Sequence, residues 1–248
     1  MRWIYISPHL DDAVLSAGGL IYEQVQSGAS VEIWTIMCGV PRESEFSPFA
    51  RALHHQWGVT SAEEAVRIRR AEDEKAAGIL GAGTIHFDFL DCIYRRGSNG
   101  DWLYMDVFVP PHQDDLDLPR RIADAIAPRL TRDDNLICQL GLGSHVDHIL
   151  VRRAVESLRR PLLYLADIPY LFNHPESLKA NTAGMKENVH RVTEAGLRSW
   201  MEAVTAYASQ LSSLFAGPEQ MHESIRRHCD EWGGIPLWRA GGPFGINA

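Results

Sequence analysis

No stretch of this 248-residue chain approaches the ~20 consecutive apolar residues that a membrane-spanning helix needs. None of its four cysteines, Cys38, Cys92, Cys138 and Cys229, pair at a C-x-x-C spacing. A disulfide scaffold is thereby excluded, and buried free thiols in a reducing cytosol are expected. Basic residues never run beyond two in succession, and 24 Lys plus Arg stand against 32 Asp plus Glu, a formal charge of −8. Such a chain is a poor non-specific partner for nucleic acid, because that binding depends on neutralising phosphates. No G-x-G-x-x-G follows the first strand and no G-x-x-x-x-G-K occurs, so the usual nucleotide cradles are missing. No charged n-region with a long apolar h-region follows Met1. A cytoplasmic protein with no membrane partner is expected. Internal repeats and low-complexity tracts are also lacking. Hydrophobic residues at 45% and charged residues at 23% are ordinary for a globular chain, which excludes collagen-like and disordered readings. A chain this long buries a sizeable core without staples.

What is present is an alternation of strands and helices. Trp3-Ile4-Tyr5-Ile6 is β-branched and aromatic and reads as a buried strand. A helix is expected from about Asp12 to Gln26, stopped by Ser27-Gly28, and a second strand from Val31 to Met37. Ser61-Ala62-Glu63-Glu64 forms a capping box for a helix to about Leu80, with Gly81 at its end. Further strands are expected at 85–89, 135–140 and 162–165, and helices at 118–130, 146–159, 195–214 and 219–229. This pattern predicts one α/β domain over 1–248. Its sheet is mainly parallel, Rossmann-like and ordered 3-2-1-4-5, flanked by helices, with residues 195–248 as a C-terminal helical extension. Residues 39–60, 91–116 and 167–190 read as long irregular segments after strands. They therefore lie at the carboxyl edge, where open α/β sheets bind ligands.

Two polar clusters fall at that edge. Ser7-Pro8-His9-Leu10-Asp11-Asp12 follows strand one and His145-Val146-Asp147-His148 follows strand four. In a 3-2-1-4-5 sheet those strands are neighbours, so clusters more than 130 residues apart in sequence face one crevice. Two imidazoles and a carboxylate suit a catalytic zinc with one open position. His9, Asp12 and His148 supply such a set, Asp11 is free to take a proton, and His145 is free to donate to substrate. Each cluster alone also has an ordinary reading. Asp12 can be a plain helix cap, and Asp147 and His148 can be first-turn residues that complement a helix dipole.

Ser7-Pro8-His9-Leu10-Asp11-Asp12 with Ala17-Gly18-Gly19, and Gly143-Ser144-His145-Val146-Asp147-His148, resemble the paired motifs of the LmbE-like, or PIG-L, deacetylases. Arg69-Arg70-Ala71-Glu72 through Leu80-Gly81 is similar to that family's middle helix, and Tyr207-Ala208-Ser209-Gln210 to a recurring C-terminal element. The resemblance spans roughly residues 2–215. It implies a Rossmann-like zinc hydrolase that removes N-acyl groups, typically acetyl from glucosamine-type sugars. One Zn2+ per chain falls on His9, Asp12 and His148. The general base falls on Asp11, the polarising or acid histidine on His145, and Asp147 is placed to orient His145. Arg69 and Asp91 are implied as substrate-binding residues. The implied partner is a small N-acylated, sugar-containing substrate, with a homo-oligomer left open. The motif departs from the family at Leu10 (usually proline), Ala13 (usually glutamate) and Gly143 (tyrosine in some members). These departures keep two alternatives in view: a broader amidase on an acylated secondary metabolite or glycopeptide, and a non-catalytic metal- or ligand-binding module.

Overall fold

Seven strands share one sheet in the order β3-β2-β1-β4-β5-β7-β6. The computed structural model describes residues 1–42 and 45–241. β1 (Arg2–Ser7), β2 (Ser30–Thr35), β3 (Gly83–His86), β4 (Asp134–Gln139) and β5 (Leu162–Leu165) run parallel in the order expected from sequence. The period of two along each strand separates two cores. Tyr5, Ile33 and Ile137 point to one face, beneath α1 (Asp12–Gln26), the last turns of α3 (Ala62–Leu80) and α8 (Glu194–Thr205). Ile4, Ile6, Trp34, Leu136 and Cys138 point to the other, beneath α4 (Leu118–Ile126) and α5 (Val146–Ser157).

The Ala17-Gly18-Gly19 run has a packing reason. α8 crosses α1 so closely that a Cβ on Gly18 would enter the Trp200 ring, and one on Gly19 would lie 2.9 Å from Val192. Trp200 Nε1 donates to the Val14 carbonyl at 2.7 Å, which satisfies a buried indole within the same contact.

Several elements differ from the sequence reading. The segment 39–60 carries a helix, α2 (Pro48–Gln56), whose N-terminus is fixed by Ser47 Oγ accepting from the Ala50 N–H at 2.9 Å. Residues 43–44 of that segment lie outside the described residues. β3 sits two residues earlier than expected, because Gly83–His86 pair with Glu32–Thr35 and the chain then turns off the sheet. The segment 167–190 holds α6 (Tyr170–Asn173), α7 (Glu176–Asn181) and β6 (Met185–His190). The expected helix 195–214 breaks after Thr205 into α8 and α9 (Ala208–Leu214). After α10 (Pro218–Trp232), β7 (Ile235–Ala240) returns between β5 and β6, antiparallel to both. β6 carries Lys186, Glu187 and Asn188 at an edge and so lacks the apolar run of a buried strand, and β7 has a short buried run, Ile235 to Trp238, interrupted by Pro236, a residue that argues against a central strand. Of the expected helical extension 195–248, residues 242–248 lie outside the described residues. No helix among the described residues is long and apolar enough to cross a membrane.

Candidate metal and catalytic site

β1 and β4 pair side by side, with Ile6 opposite Cys138, so the turns that leave them open onto the same crevice. The first turn is folded by its own side chains. Ser7 Oγ donates to the His9 carbonyl at 2.7 Å and accepts from the Ala13 N–H at 3.1 Å. Asp12 Oδ2 accepts from the His9 N–H at 2.8 Å. Together these bonds bring His9 and Asp12 to one side. At the second turn, His145 caps α5, its Nδ1 accepting from the Asp147 N–H at 3.2 Å. His145 and His148 thereby project from the first turn of the helix toward His9, with ring centroids 4.7 Å (His9–His145), 5.3 Å (His9–His148) and 5.0 Å (His145–His148) apart.

Asp12 Oδ2 lies 3.2 Å from His9 Nδ1 and 3.3 Å from His148 Nε2. Each ring turns its other nitrogen to a second carboxylate: His9 Nε2 to Asp147 Oδ2 at 3.1 Å, and His148 Nδ1 to Asp167 Oδ1 at 2.7 Å. A carboxylate at neutral pH only accepts, so those outer nitrogens carry protons, which leaves the inner ones, beside Asp12, to hold either a second proton or a cation. This is the carboxylate–histidine arrangement of metal sites. His148 Nε2 is buried without a hydrogen-bond partner, a vacancy in the bonding that a cation in place of the ring's second proton satisfies. Electrostatics agree. Burial disfavours a charged His148, yet Asp12 and Asp167 raise it to about 9, and His9 is raised well above its usual value against the same burial by Asp12 and Asp147. The pocket is short of positive charge, and the residues present fit a divalent cation. His145 offers a third ring nitrogen, all three imidazoles presenting nitrogens within 4.8 Å of one another.

Asp11 sits beside this set. Burial pushes its carboxyl up to about 7, against the pull of Arg69, whose Nη2 lies 3.4 Å from Asp11 Oδ2. Burial, with His9 and His148 nearby, holds His145 well below the ordinary imidazole value. The ring is therefore neutral, with Nδ1 an acceptor and Nε2 the protonated donor. Asp91 approaches His9 Nε2 at 3.8 Å, while its Oδ1 caps the turn by accepting from the Ile93 N–H at 3.1 Å.

Asp147 holds His145 by its backbone N–H rather than by its carboxylate. The Asp147 carboxylate does not reach back to orient His145, because its oxygens are taken by His9, by the Cys92 N–H at 2.9 Å and by an ion pair with Arg95 Nη2 at 2.6 Å. Burial alone would raise Asp147; Arg95 holds it well below the carboxylate range. Arg95 also binds Asp115 at 2.8 Å and so fastens the 91–117 loop to the start of α5. Nothing local in the sequence marks Arg95. Asp167 is marked only by its place after β5, and it proves to be the partner that turns His148; Asp167 Oδ2 also accepts from the Leu142 N–H at 3.0 Å.

Other residues sort as clearly. The cleft, about 210 Å³, is lined by Trp57, Arg69, Asp91 and Tyr170 around the histidines. His54 turns away to Tyr94 Oη at 2.7 Å, and His86 to Asp73 at 2.9 Å. Tyr104 is spent on Asp115 at 2.7 Å and Trp102 lies under Arg96, so neither lines the cleft. The C-terminal element explains the middle helix. Asp73 accepts from Tyr207 Oη at 2.7 Å, and Glu72 accepts from the Ser209 N–H and hydroxyl at 2.8 and 2.6 Å. These bonds set the start of α9, which carries Gln210, Ser213 and Leu214 to the cleft. Gly143 has φ +79°, and a Cβ there would come within 2.6 Å of Tyr170 Cδ1. The Tyr170 ring fills the space that a larger residue at 143 would need.

The sequence model described as GlcNAc-PI de-N-acetylase, PIG-L, matches residues 4–158. A 2'-N-acetylparomamine deacetylase of Niallia circulans is 27% identical over 233 residues, covering 86% of this chain and 82% of that protein. A deacetylase from the teicoplanin biosynthesis pathway, solved as a complex with bog, is 29% identical with a TM-score of 0.81, covering 96% of this chain and 97% of its own. The zinc-inhibited form of the teicoplanin deacetylase Orf2 is 28% identical with a TM-score of 0.78 and the same coverage. The match runs through both strand-end motifs and the helices that follow them, and the chain belongs to the PIG-L family of de-N-acetylases.

Proposed function

We propose that the protein is a zinc-dependent N-deacetylase. It hydrolyses the N-acetyl amide of an amino-sugar-containing small molecule, with one ion per chain held by His9, Asp12 and His148. The observation that carries this reading is Asp12 Oδ2 between two imidazole nitrogens whose outer nitrogens are each backed by a carboxylate. Relatives named for acetylparomamine and teicoplanin support the substrate class. We read residues 1–248 as one catalytic domain, with the C-terminal part included, because α8 packs on α1 and α9 reaches the cleft. Four buried free cysteines support a cytoplasmic setting.

A zinc ion in this set supplies Lewis-acid polarisation of the amide carbonyl and lowers the pKa of a water. The protein's own groups do the rest. Asp11, tuned by burial to about 7, takes the proton of the attacking water. His145 donates its Nε2–H to the oxygen on which negative charge develops. A neutral His145 has one ring proton and needs it for that bond, so Asp11, protonated by the first step, delivers the proton to the leaving amine. Arg69 Nε is buried without a partner, and a substrate hydroxyl satisfies it. Asp91, at the edge of the same cleft, accepts from another. Asp147 holds His9.

The test is metal content by elemental analysis beside acetate release from N-acetylated amino sugars. About one zinc per chain is expected, lost in His148→Ala. Asp11→Asn should keep the metal and lose activity by roughly 100-fold or more. A protein that takes up no metal, or an Asp11→Asn variant that retains its rate, overturns the reading.

A further inference from the structure

α6 contributes to two cavities. Tyr170 lines the cleft already described, whereas Leu171 and Phe172 line a second cavity of about 350 Å³ that shares no lining residue with the first. The second is the larger and falls within the roughly 300–1,000 Å³ of pockets that enclose small organic ligands. Pro175 and Leu178 add apolar surface, and α10 supplies the rest: Ser224, Arg227, His228, Glu231 and Trp232. His228 is the odd residue there. It is 5% exposed, and the rings of Phe172, Trp200 and Trp232 stand around it at centroid distances of 5.7, 6.5 and 6.4 Å. None of them gives it a hydrogen bond; Trp200 Nε1 is spent on the Val14 carbonyl. Among the described residues nothing else bonds to either imidazole nitrogen, and burial alone pushes the ring down to about 4. At neutral pH it therefore presents one N–H and one bare nitrogen.

A buried polar group without a partner costs stability, and a phenylalanine in this place would fill the same space without that cost. Ser224, also buried, accepts from Gln220 Nε2 at 3.0 Å and has its own O–H left to give. Arg227 and Glu231 are both exposed, one helical turn apart and opposite in sign, so the lining favours neither an anion nor a cation. We propose that this cavity is a second binding site, for a separate, uncharged aromatic molecule of one or two rings that packs against Phe172 and Trp232 and shares a hydrogen bond with His228. A charged group at the depth of His228 would be desolvated with no counter-charge beside it, and a purely apolar ring would leave the imidazole unpaired. Because the two cavities share no lining residue, this site stands whether or not the cleft hydrolyses amides.

The experiment titrates the full-length protein, its histidine rings labelled with nitrogen-15, with indole and with indene at neutral pH. Indole should saturate with a Kd of roughly 0.1–1 mM, the range a ligand of its size reaches. It should move the ring-nitrogen signals of His228. At twice the Kd, amide exchange at residues 171–174 should slow about threefold, which locates the bound molecule beside α6. Indene has the same shape and no N–H, and should bind about tenfold more weakly. In His228→Phe that preference should fall to about one. Leu178→Trp fills the cavity and should abolish binding of both. No saturation by about 5 mM indole overturns the site. So does equal affinity for indole and indene, a preference that survives His228→Phe, or exchange unchanged at 171–174. Phenylalanine keeps the ring packing, so His228→Phe decides the matter even where Leu178→Trp disrupts the fold.

Discussion

Asp167→Asn removes a charge from a residue that touches no substrate. Asp167 Oδ1 accepts from His148 Nδ1 at 2.7 Å while Oδ2 accepts from the Leu142 N–H, so both oxygens are used and both partners are buried. An amide has one oxygen to offer. Whichever partner keeps it, the other loses its acceptor, and His148 is freed to rotate or to change tautomer. Loss of such a partner costs about 10- to 100-fold in metal affinity. At free zinc of about 100 times the wild-type Kd, binding adds roughly 2.7 kcal/mol to wild-type stability. For a variant about 30-fold weaker the same relation leaves roughly 0.9 kcal/mol. Urea unfolding in a zinc buffer, with a chelator series as baseline, reads that difference directly. Competition with a chromophoric chelator reads the affinity itself. A zinc-induced stabilisation equal to wild type would refute the assignment of His148 Nε2 as a ligand held by Asp167.

Three further outcomes follow from the packing. Arg95→Met strands Asp147 and Asp115 as buried carboxylates and should cost about 3–5 kcal/mol in urea unfolding, with faster amide exchange along 104–115; a loss below about 1 kcal/mol would contradict the anchoring role. Gly18→Ala drives a methyl into the Trp200 ring and should cost about 1–3 kcal/mol, read as a drop in Tm, where an unchanged Tm would mean that α8 is free to shift off α1. His228, enclosed by Phe172, Trp200 and Trp232, is pushed down by burial to about 4. The unfolded chain therefore binds the extra proton first as pH falls below about 6.5, and stability is lost from there down toward pH 4. At pH 5.5 the loss is about 1 kcal/mol relative to pH 7.5. His228→Phe should abolish that increment, and an unaltered pH dependence in the variant would rule it out.

The residues proposed to carry chemistry stand out in the sequence, and those that aim them largely do not. His9, Asp11, Asp12, His145 and His148 stand in short runs directly after apolar strands, and a parallel sheet turns such strand ends into one crevice by topology alone. The supporting groups obey a different logic. Arg95 meets Asp147 across 52 residues and Tyr207 meets Asp73 across 134; the resemblance singles out Tyr207 but not its partner, and nothing local singles out Arg95. Their partners are defined only once the sheet order, the loop path and the α8–α9 break are all in place. Asp167 lies between these cases. The first residue but one after β5, it occupies the same carboxyl edge as the two motifs, and the rule that located them reaches it too. The missed α2 and β7 share one cause. Each is stabilised less by its own pattern than by what it packs on: α2 by the rim of the cleft, β7 by the two strands between which it inserts. Asp147 meets His145 through its backbone N–H and not through its carboxylate, and the sequence does not say which. The backbone N–H of Asp147 satisfies His145, and the carboxylate is left to answer the larger charge that Arg95 brings from a loop whose course no local spacing predicts.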